Sequence, residues 1–169
     1  MTKNLLPLIL FAFTCLAWAA CTQERQPCLT PKKAALIIES IHFAKDTSTI
    51  PVDSSLNNSF FAPITTSSTI GTLYAGPASL FSISLSPDST VCQWEVLSDT
   101  AVKTYDTLTF YYKRNLKFLS NACGYTYFYN IDSIHTTHLF IDSVHILNPG
   151  VTNVTNKIKH VQIYIRRNF

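Results

Sequence analysis

The chain has 169 residues, and its thirteen basic and ten acidic side chains give a net charge of +3. This length suits one domain after removal of a leader, and so balanced a charge argues against nucleic-acid binding. Charged residues make up only 14% of the chain, while serine, threonine and asparagine are plentiful. That balance favours an exported β-protein with hydroxyl-rich strands and turns over a helical cytosolic protein.

Residues 1–20 predict a secretory signal peptide. Lys3 supplies a positive charge near the start, and residues 5–18 form an apolar run. The run is short and lies at the N-terminus, which fits a signal peptide better than a membrane-spanning helix. We therefore expect the protein to be exported from the cytoplasm.

Cys21 follows two alanines at the end of the apolar run, which is the pattern of a bacterial lipoprotein cleavage site. Trp18 departs from that pattern, because leucine, valine or alanine is usual at its position. Ordinary cleavage after Ala20, with Cys21 left as a thiol, is the alternative. We expect Cys21 to be lipidated, because the apolar run ends and a polar tether over residues 21–33 begins there. Two or more acyl chains would then anchor the protein stably.

Lipidation would attach the domain to a membrane of the cell envelope through its N-terminus. The residues that follow Cys21, Thr-Gln-Glu-Arg-Gln, lack the acidic run associated with export to the cell surface. The expected location is therefore the periplasmic face of the outer membrane, and nucleic acid is not an expected partner.

Four cysteines remain after removal of the signal peptide: Cys21, Cys28, Cys92 and Cys123. Acylation of Cys21 leaves three thiols in an oxidising compartment, so one disulfide and one free thiol are expected. The favoured pair is Cys28–Cys123, because Cys92 lies inside the apolar run 91–94 and is interpreted as a buried thiol. Pairing of Cys92 with either of the other two stays open. No Cys-x-x-Cys spacing supports a zinc or thioredoxin-like site.

Period-two alternation and turn residues predict an all-β domain over residues 34–169, a single antiparallel sandwich or barrel-like fold. No segment shows helical periodicity over three turns. The predicted strands cover residues 34–43, 50–52, 59–62, 69–73, 79–85, 90–97, 106–112, 117–120, 124–129, 137–147 and 157–166.

Several connections between these strands are also predicted. The two short strands in the hydroxyl-rich stretch 44–69 are expected at a sheet edge. Gly76-Pro77 predicts a turn, and residues 79–97 predict a β-hairpin around Ser-Pro-Asp. Residues 113–115, Lys-Arg-Asn, are interpreted as a short basic link between two aromatic strands.

The histidines suggest a metal site. His135 and His138 have His-x-x-His spacing, and Asp132, Asp142 and His145 are near in sequence. On a strand, His138 and Asp142 share a face while His145 points the other way, so three ligands would converge only if His135 or Asp132 folded back. His135, His138 and Asp142 are therefore weak metal candidates, and polar strand-end histidines are the simpler interpretation.

The densest feature of the sequence is an aromatic cluster on the two strands before and after Cys123. Core and cross-strand packing explains most clusters of this kind. The functional alternative is a platform for a ligand or partner, because tyrosine combines an apolar ring with a polar hydroxyl. The platform would consist of Tyr112, Tyr125, Tyr127 and Tyr129. The nearby cations Lys113, Arg114 and Lys117 are expected at a solvated tip, with a lipid-headgroup contact as the alternative.

Every aspartate of the chain is followed by serine or threonine. This pattern is similar to the O-glycosylation acceptor sequence of exported Bacteroidetes proteins. The alternative is that the aspartates cap turns before strands by accepting hydrogen bonds from nearby backbone N–H groups. The candidate acceptors are Ser89, Thr100, Thr107, Ser133 and Ser143.

The chain resembles an uncharacterised family of small lipoproteins from Bacteroidetes-type bacteria. The matching features are a cysteine and proline after the lipidation site, three strand motifs and a Cys-Gly-aromatic motif. They occupy residues 28–31, 36–43, 106–112, 123–125 and 160–163. The resemblance implies an exported, lipid-anchored domain, and it brings no activity, cofactor or ligand with it.

The predicted function is a non-enzymatic binding or structural module of the cell envelope, with an envelope protein or glycan as partner and no cofactor. The chain has no Gly-x-Ser-x-Gly nucleophile motif, and its four glycines do not form a phosphate-binding loop. The alternative function is a small envelope enzyme, a metal-assisted hydrolase that uses residues 135–145.

Overall fold

The computed structural model describes residues 27–43, 51–65, 71–154 and 158–166, so the predicted signal peptide and Cys21 lie outside the described residues. The described part of the chain is all-β, which confirms the predicted fold class, and no helix there is long and apolar enough to cross a membrane. Its strands are β1 (Ala35–Phe43), β2 (Pro51–Asp53), β3 (Leu56–Pro63), β4 (Thr72–Ala78), β5 (Leu80–Ser84), β6 (Val91–Asp99), β7 (Val102–Ser120), β8 (Gly124–Thr136), β9 (Ile141–Ile146), β10 (Gly150–Val151) and β11 (Val161–Ile165).

The strands form two sheets that pack face to face. The first sheet has the order β2-β1-β11-β9, with β5 also paired to β1, and the second has the order β10-β8-β7-β6-β3-β4. Among the described residues, paired strands run antiparallel except for β1 and β11, which run parallel. The result is a sandwich whose core lies between the inward faces of the two sheets.

Alternation along each strand decides which side chains enter this core. In β5, Phe81 and Ile83 are buried while the residues between and beside them are exposed. Phe61 of the second sheet stacks on Phe81 of the first with 4.6 Å between ring centroids, and Tyr74 packs edge-on against both rings. Aromatic contacts of this kind tie the two sheets together across the core.

Both faces of β1 are covered, as its largely apolar sequence predicts. Glu39 is only 2% exposed, and its carboxylate accepts hydrogen bonds from Lys159 and, at 2.8 Å, from Gln162. The parallel pairing with β11 places Gln162 directly opposite Glu39. The buried charge is therefore paired, as burial of a carboxylate requires.

The predicted hairpin over residues 79–97 is wrong. β5 pairs with β1 in the first sheet, whereas β6 lies between β3 and β7 in the second. The turn between these strands therefore carries the chain from one sheet to the other. Alternation identifies both strands correctly, but it contains no information on which neighbour each strand pairs with.

The predicted turn at Gly76-Pro77 is also wrong, because both residues lie inside β4. The register between β3 and β4 shifts here, and Gly76 has a φ of +77° while Asn58 has a φ of +50°. Gly76 N–H donates to the Asn58 side-chain oxygen at 3.0 Å. Residues that usually signal a turn here form a β-bulge.

β3 pairs with β6 as well as β4, so it is not the edge strand that was predicted.

The basic link predicted at residues 113–115 does not exist as a turn. β7 runs unbroken through it, and the chain turns only at residues 121–123. β6 pairs with β7 only as far as Tyr111, and β10 covers only Tyr129 and Asn130 of β8. Residues 113–128 therefore form a two-stranded antiparallel extension of the second sheet, which we call the ribbon. Two strands alone are marginally stable, so the ribbon needs support from elsewhere.

Residues 137–140, predicted as strand, form a loop around the buried carboxylate of Asp106. The backbone N–H groups of Leu139, Phe140 and Ile141 donate to it at 2.7, 2.8 and 2.7 Å, and the Thr137 hydroxyl donates as well. The loop leads from β8 in the second sheet to β9 in the first. Asp106 therefore holds together one of the connections between the two sheets, the loop from β8 to β9.

The first prediction concerns this carboxylate. Asp106→Asn replaces one acceptor oxygen with an NH₂ group that faces backbone donors, so buried N–H groups lose their partner. We expect the free energy of unfolding to fall by about 3–5 kcal/mol at neutral pH, as for other broken buried charge networks. Urea denaturation measures the loss. Asp99→Asn is the control, because Asp99 accepts a single local hydrogen bond from Ala101.

The free energy of unfolding of the same two variants, Asp106→Asn and Asp99→Asn, should depend differently on pH in acid. Burial raises the pKa of Asp106, but the four hydrogen bonds outweigh burial and hold the pKa below its ordinary value of 3.8. The stabilisation is therefore fully present above about pH 4 and is lost as the pH falls through the lower folded-state pKa. Part of the acid destabilisation of the wild type should be missing in Asp106→Asn. Equal stability losses for both variants would contradict this role.

Candidate functional site

A groove of about 420 Å³ opens beside the ribbon. One wall is β8, the second is the end of β5 with the following turn, and the third is the segment that leads into β1. The lining residues are Lys32, Lys33, Ala34, Ser84, Leu85, Pro87, Tyr125, Thr126, Tyr127 and Tyr129. Three of the four tyrosines predicted as a platform are among them.

Strand geometry places these three tyrosines in a row. Tyr125, Tyr127 and Tyr129 are two residues apart on β8 and so lie on one face. Tyr125 at the outer end is 65% exposed, Tyr127 is half-buried and Tyr129 is 7% exposed, with its hydroxyl 3.3 Å from the carbonyl oxygen of Leu85. The exposure of the three rings therefore decreases along the row, from Tyr125 in solvent to Tyr129 at the core.

Arg114 supplies a positive charge over this row. It lies opposite Tyr129 on β7, and its guanidinium carbon is 6.0 Å from the ring centroid of Tyr127. Its Nη1 donates a hydrogen bond to the carbonyl oxygen of Pro87. A cation at this distance from a tyrosine ring contributes a modest attraction. Arg114, predicted to lie at a solvated tip, instead links the ribbon to the turn after β5.

The third wall is held by a disulfide and two hydrogen bonds. Cys28 and Cys123 form a disulfide with 4.8 Å between their Cα atoms, the pairing favoured from the sequence. The Pro31 carbonyl accepts from the Asn153 side chain at 2.9 Å, and the Lys32 carbonyl accepts from the Thr126 hydroxyl. These contacts place Lys32 and Lys33 along the groove and also support the ribbon.

Tyr112, the fourth predicted tyrosine, is not part of the groove. It is 2% exposed, and its hydroxyl donates to the Ser86 carbonyl and accepts from the Ser86 N–H, both at 3.0 Å. Burial, together with the neighbouring Cys92, raises the pKa of Tyr112 well above its ordinary value. Tyr112 is therefore a core residue that fixes the turn after β5.

Cys92 is free and only half-buried, whereas a buried thiol was predicted.

Another tyrosine, Tyr74, binds the edge of β5 that does not pair with β1. The Tyr74 hydroxyl donates to the Ser82 carbonyl at 2.9 Å and accepts from the Ser82 N–H at 2.8 Å. Successive residues of a strand direct their backbone groups to alternate edges, so Ser84 also directs its N–H and C=O groups to this outer edge. Ser84 lines the groove, which therefore includes backbone polar groups as well as rings and cations.

The weak metal candidates do not come together. His135 packs edge-on against Tyr111 with 5.5 Å between ring centroids. His138 Nδ1 is 2.8 Å from the backbone oxygen of Asp142, whose carboxylate pairs with Arg166 at 3.5 Å. Within the described residues, no group of three histidine, cysteine, aspartate or glutamate side chains could hold a metal ion.

The remaining members of the histidine region are engaged elsewhere. Asp132 lies 3.8 Å from the Lys113 ammonium group, and His145 packs against the ring of Tyr164 at 5.1 Å. The hydrolase alternative therefore has no assembled site in the part of the chain that the structure describes.

The candidate glycosylation acceptors differ in accessibility. Thr100 is exposed in the turn after β6, while the other four are half-buried: Ser89, Thr107, Ser133 and Ser143. Asp99 accepts from Ala101 N–H at 2.9 Å, and the Ser89 hydroxyl accepts from Val91 N–H at 3.0 Å. Local capping therefore accounts for two of these motifs. Glycosylation stays a prediction, with Thr100 as the most accessible acceptor.

The fold and groove define a class of protein: an all-β sandwich domain with a basic, tyrosine-lined groove. Residues 64–165 match the model of the Family of unknown function (DUF6452), and the chain belongs to this family. The matched residues include the ribbon and β8 but not Cys28 or the lysine wall of the groove. No curated protein matches the chain, and no solved structure does so either.

The second prediction concerns the disulfide. It spans 95 residues, and closure of so long a loop contributes about 4–5 kcal/mol in the chain-entropy model. Cys28→Ser/Cys123→Ser should lower the free energy of unfolding by roughly that amount, measured by urea denaturation, whereas Cys92→Ser should change it little. Peptide mapping without reductant tests the pairing directly. Recovery of Cys92 in a disulfide-linked peptide would contradict it.

Proposed function

We propose that the protein is a lipid-anchored, non-enzymatic binding module of the bacterial cell envelope, which holds an envelope glycan or protein in its groove. The observation that carries the proposal is the groove itself, which combines a tyrosine row, three cations and a backbone edge at one end of the domain. The resemblance to small Bacteroidetes-type lipoproteins supports the envelope location.

The groove offers groups that bind and orient a partner. Tyrosine rings stack on sugar or peptide surfaces, and their hydroxyls exchange hydrogen bonds with them. Lys32, Lys33 and Arg114 favour negatively charged groups, and no carboxylate lies among the lining residues. The charge of the groove therefore favours an anionic partner.

The tether supports the proposed anchoring. Cys21 precedes Cys28 by seven residues in the sequence, a span of at most about 25 Å when extended. Because Cys28 is joined to Cys123, a lipid on Cys21 would attach at the ribbon end of the domain, beside the groove. A disulfide also suits an oxidising compartment such as the periplasm. We place the protein at the periplasmic face of the outer membrane.

The third prediction tests the groove. Tyr125→Ala/Tyr127→Ala removes two rings from the row and should weaken partner binding at least tenfold, because loss of an aromatic contact surface costs about 1–2 kcal/mol or more. The matched control is Tyr105→Ala/Tyr111→Ala, which removes two exposed tyrosines of β7 outside the groove.

The measurement is affinity capture from envelope extracts on each immobilised variant, followed by sugar analysis, protein mass spectrometry and titration of the recovered partner. Wild type and control should recover the same partner, and the groove variant should not. Equal recovery by all three proteins would remove the groove as the binding site, and sugar analysis distinguishes a glycan from a protein.

The fourth prediction tests the anchor. Cys21→Ser should abolish fatty-acid labelling, because it removes the thiol that would carry the diacylated anchor. The exported variant should therefore no longer be held in the membrane fraction by acyl chains. Cys92→Ser, which leaves the lipidation site intact, should retain label and membrane association. A wild-type protein without fatty-acid label would contradict lipidation. It would not affect the groove prediction, which affinity capture tests separately.

A further inference from the structure

The free end of the ribbon exposes large apolar side chains in one place. Leu116 and Phe118 are 56% and 54% exposed on β7, and Tyr125 pairs with Phe118 across the ribbon at 5.2 Å. Leu29 is 89% exposed and directly follows Cys28, which the disulfide holds at the ribbon turn. Exposed apolar side chains that cluster in this way mark an interaction surface.

Charge is concentrated at the same end. Residues 27–33 and 113–128 contain five of the thirteen cationic side chains of the chain and none of its ten acidic ones. Lys113 lies 3.8 Å from Asp132 at the base of the ribbon. The other four cations form no ion pair with an acidic side chain among the residues that the structure describes. The ribbon end is therefore positive, although the chain as a whole is nearly balanced.

The free end of the ribbon carries apolar and tyrosine side chains on one face and Lys117 on the other. This combination at a projecting end suits a bilayer interface. Apolar groups enter the boundary of the acyl chains, tyrosine rings lie at headgroup depth and lysines reach the phosphates. Alternate backbone groups of β7 and β8 pair within the ribbon, and the others face its two outer edges. The ribbon therefore suits the hydrated headgroup boundary and not the hydrocarbon core, where unpaired backbone groups are costly.

We propose that the ribbon end is a docking surface for an anionic phospholipid bilayer. The proposal rests on the lipid anchor proposed above, because a tether that enters at Cys28 brings this end of the domain to the membrane first. Phe118 and Leu116 contact the acyl boundary, while Lys32 and Lys117 contact headgroup phosphates. Docking would orient the domain and place the groove beside the membrane surface.

The experiment uses the exported, acylated protein in vesicles that contain brominated phosphatidylglycerol, which quenches the fluorescence of nearby tryptophan. Phe118→Trp reports on the ribbon end. Leu73→Trp is the matched control, because Leu73 is 55% exposed on β4 at the opposite edge of the second sheet. Fluorescence of the parent protein is subtracted. We expect quenching of Phe118→Trp to exceed that of Leu73→Trp at least about twofold.

Two further samples test the charge. Lys32→Gln/Lys117→Gln in the Phe118→Trp protein should lower the quenching toward the control value. Vesicles of brominated phosphatidylcholine should quench less than the phosphatidylglycerol vesicles, because zwitterionic headgroups attract lysine weakly. Equal quenching in the two lipids would overturn docking on anionic lipid.

Flotation of the vesicles separates this proposal from the lipid anchor. Protein that floats but is quenched equally at both positions is anchored without docking, which overturns the proposal alone. Protein that carries no lipid contradicts the anchor, and quenching of Phe118→Trp after addition of anionic vesicles then still decides docking. Selective quenching without acylation would support docking and contradict lipidation.

Discussion

The buried carboxylate of Asp106 is the interaction on which the two-sheet arrangement depends. It faces inward from β7, near the centre of the second sheet, and gathers the backbone donors of the loop that enters β9 in the first sheet. Phe140 and Ile141 are fully buried beside it. A hydrophobic side chain at this position would leave these N–H groups unpaired. One charge thus fixes the loop by which the chain crosses from β8 in the second sheet to β9 in the first.

Much of the fold could be predicted because alternation reports directly on which side chains are buried. β1, β5 and β6 were located within a few residues, and the all-β class followed from them. Pairing could not be predicted, because the period of a strand is the same beside any neighbour. The hairpin expected over residues 79–97 failed for that reason. Gly76-Pro77 failed because a turn and a β-bulge use the same conformational freedom.

The candidate site was only partly visible in the sequence. The spacing of Tyr125, Tyr127 and Tyr129 places them on one face, and the disulfide expected at Cys28 could have brought Lys32 and Lys33 to them. The sequence near the end of β5 does not indicate that Ser84, Leu85 and Pro87 line a groove. They line it only because β5 pairs with β1 in the first sheet, while the tyrosines belong to the second. Tyr112 follows the same alternation into the core, so alternation alone could not exclude it.

The cross-link between Cys28 and Cys123 also determines how the domain responds to mechanical force. A pull transmitted through the N-terminal tether reaches Cys28 and passes through the disulfide to the turn between β7 and β8, the two longest strands. The segment from residue 29 to β1 carries little tension, so β1 is not peeled from its neighbours. The domain would resist extraction through the strands that contain Asp106 and the tyrosine row, and the first strand would be shielded from the load.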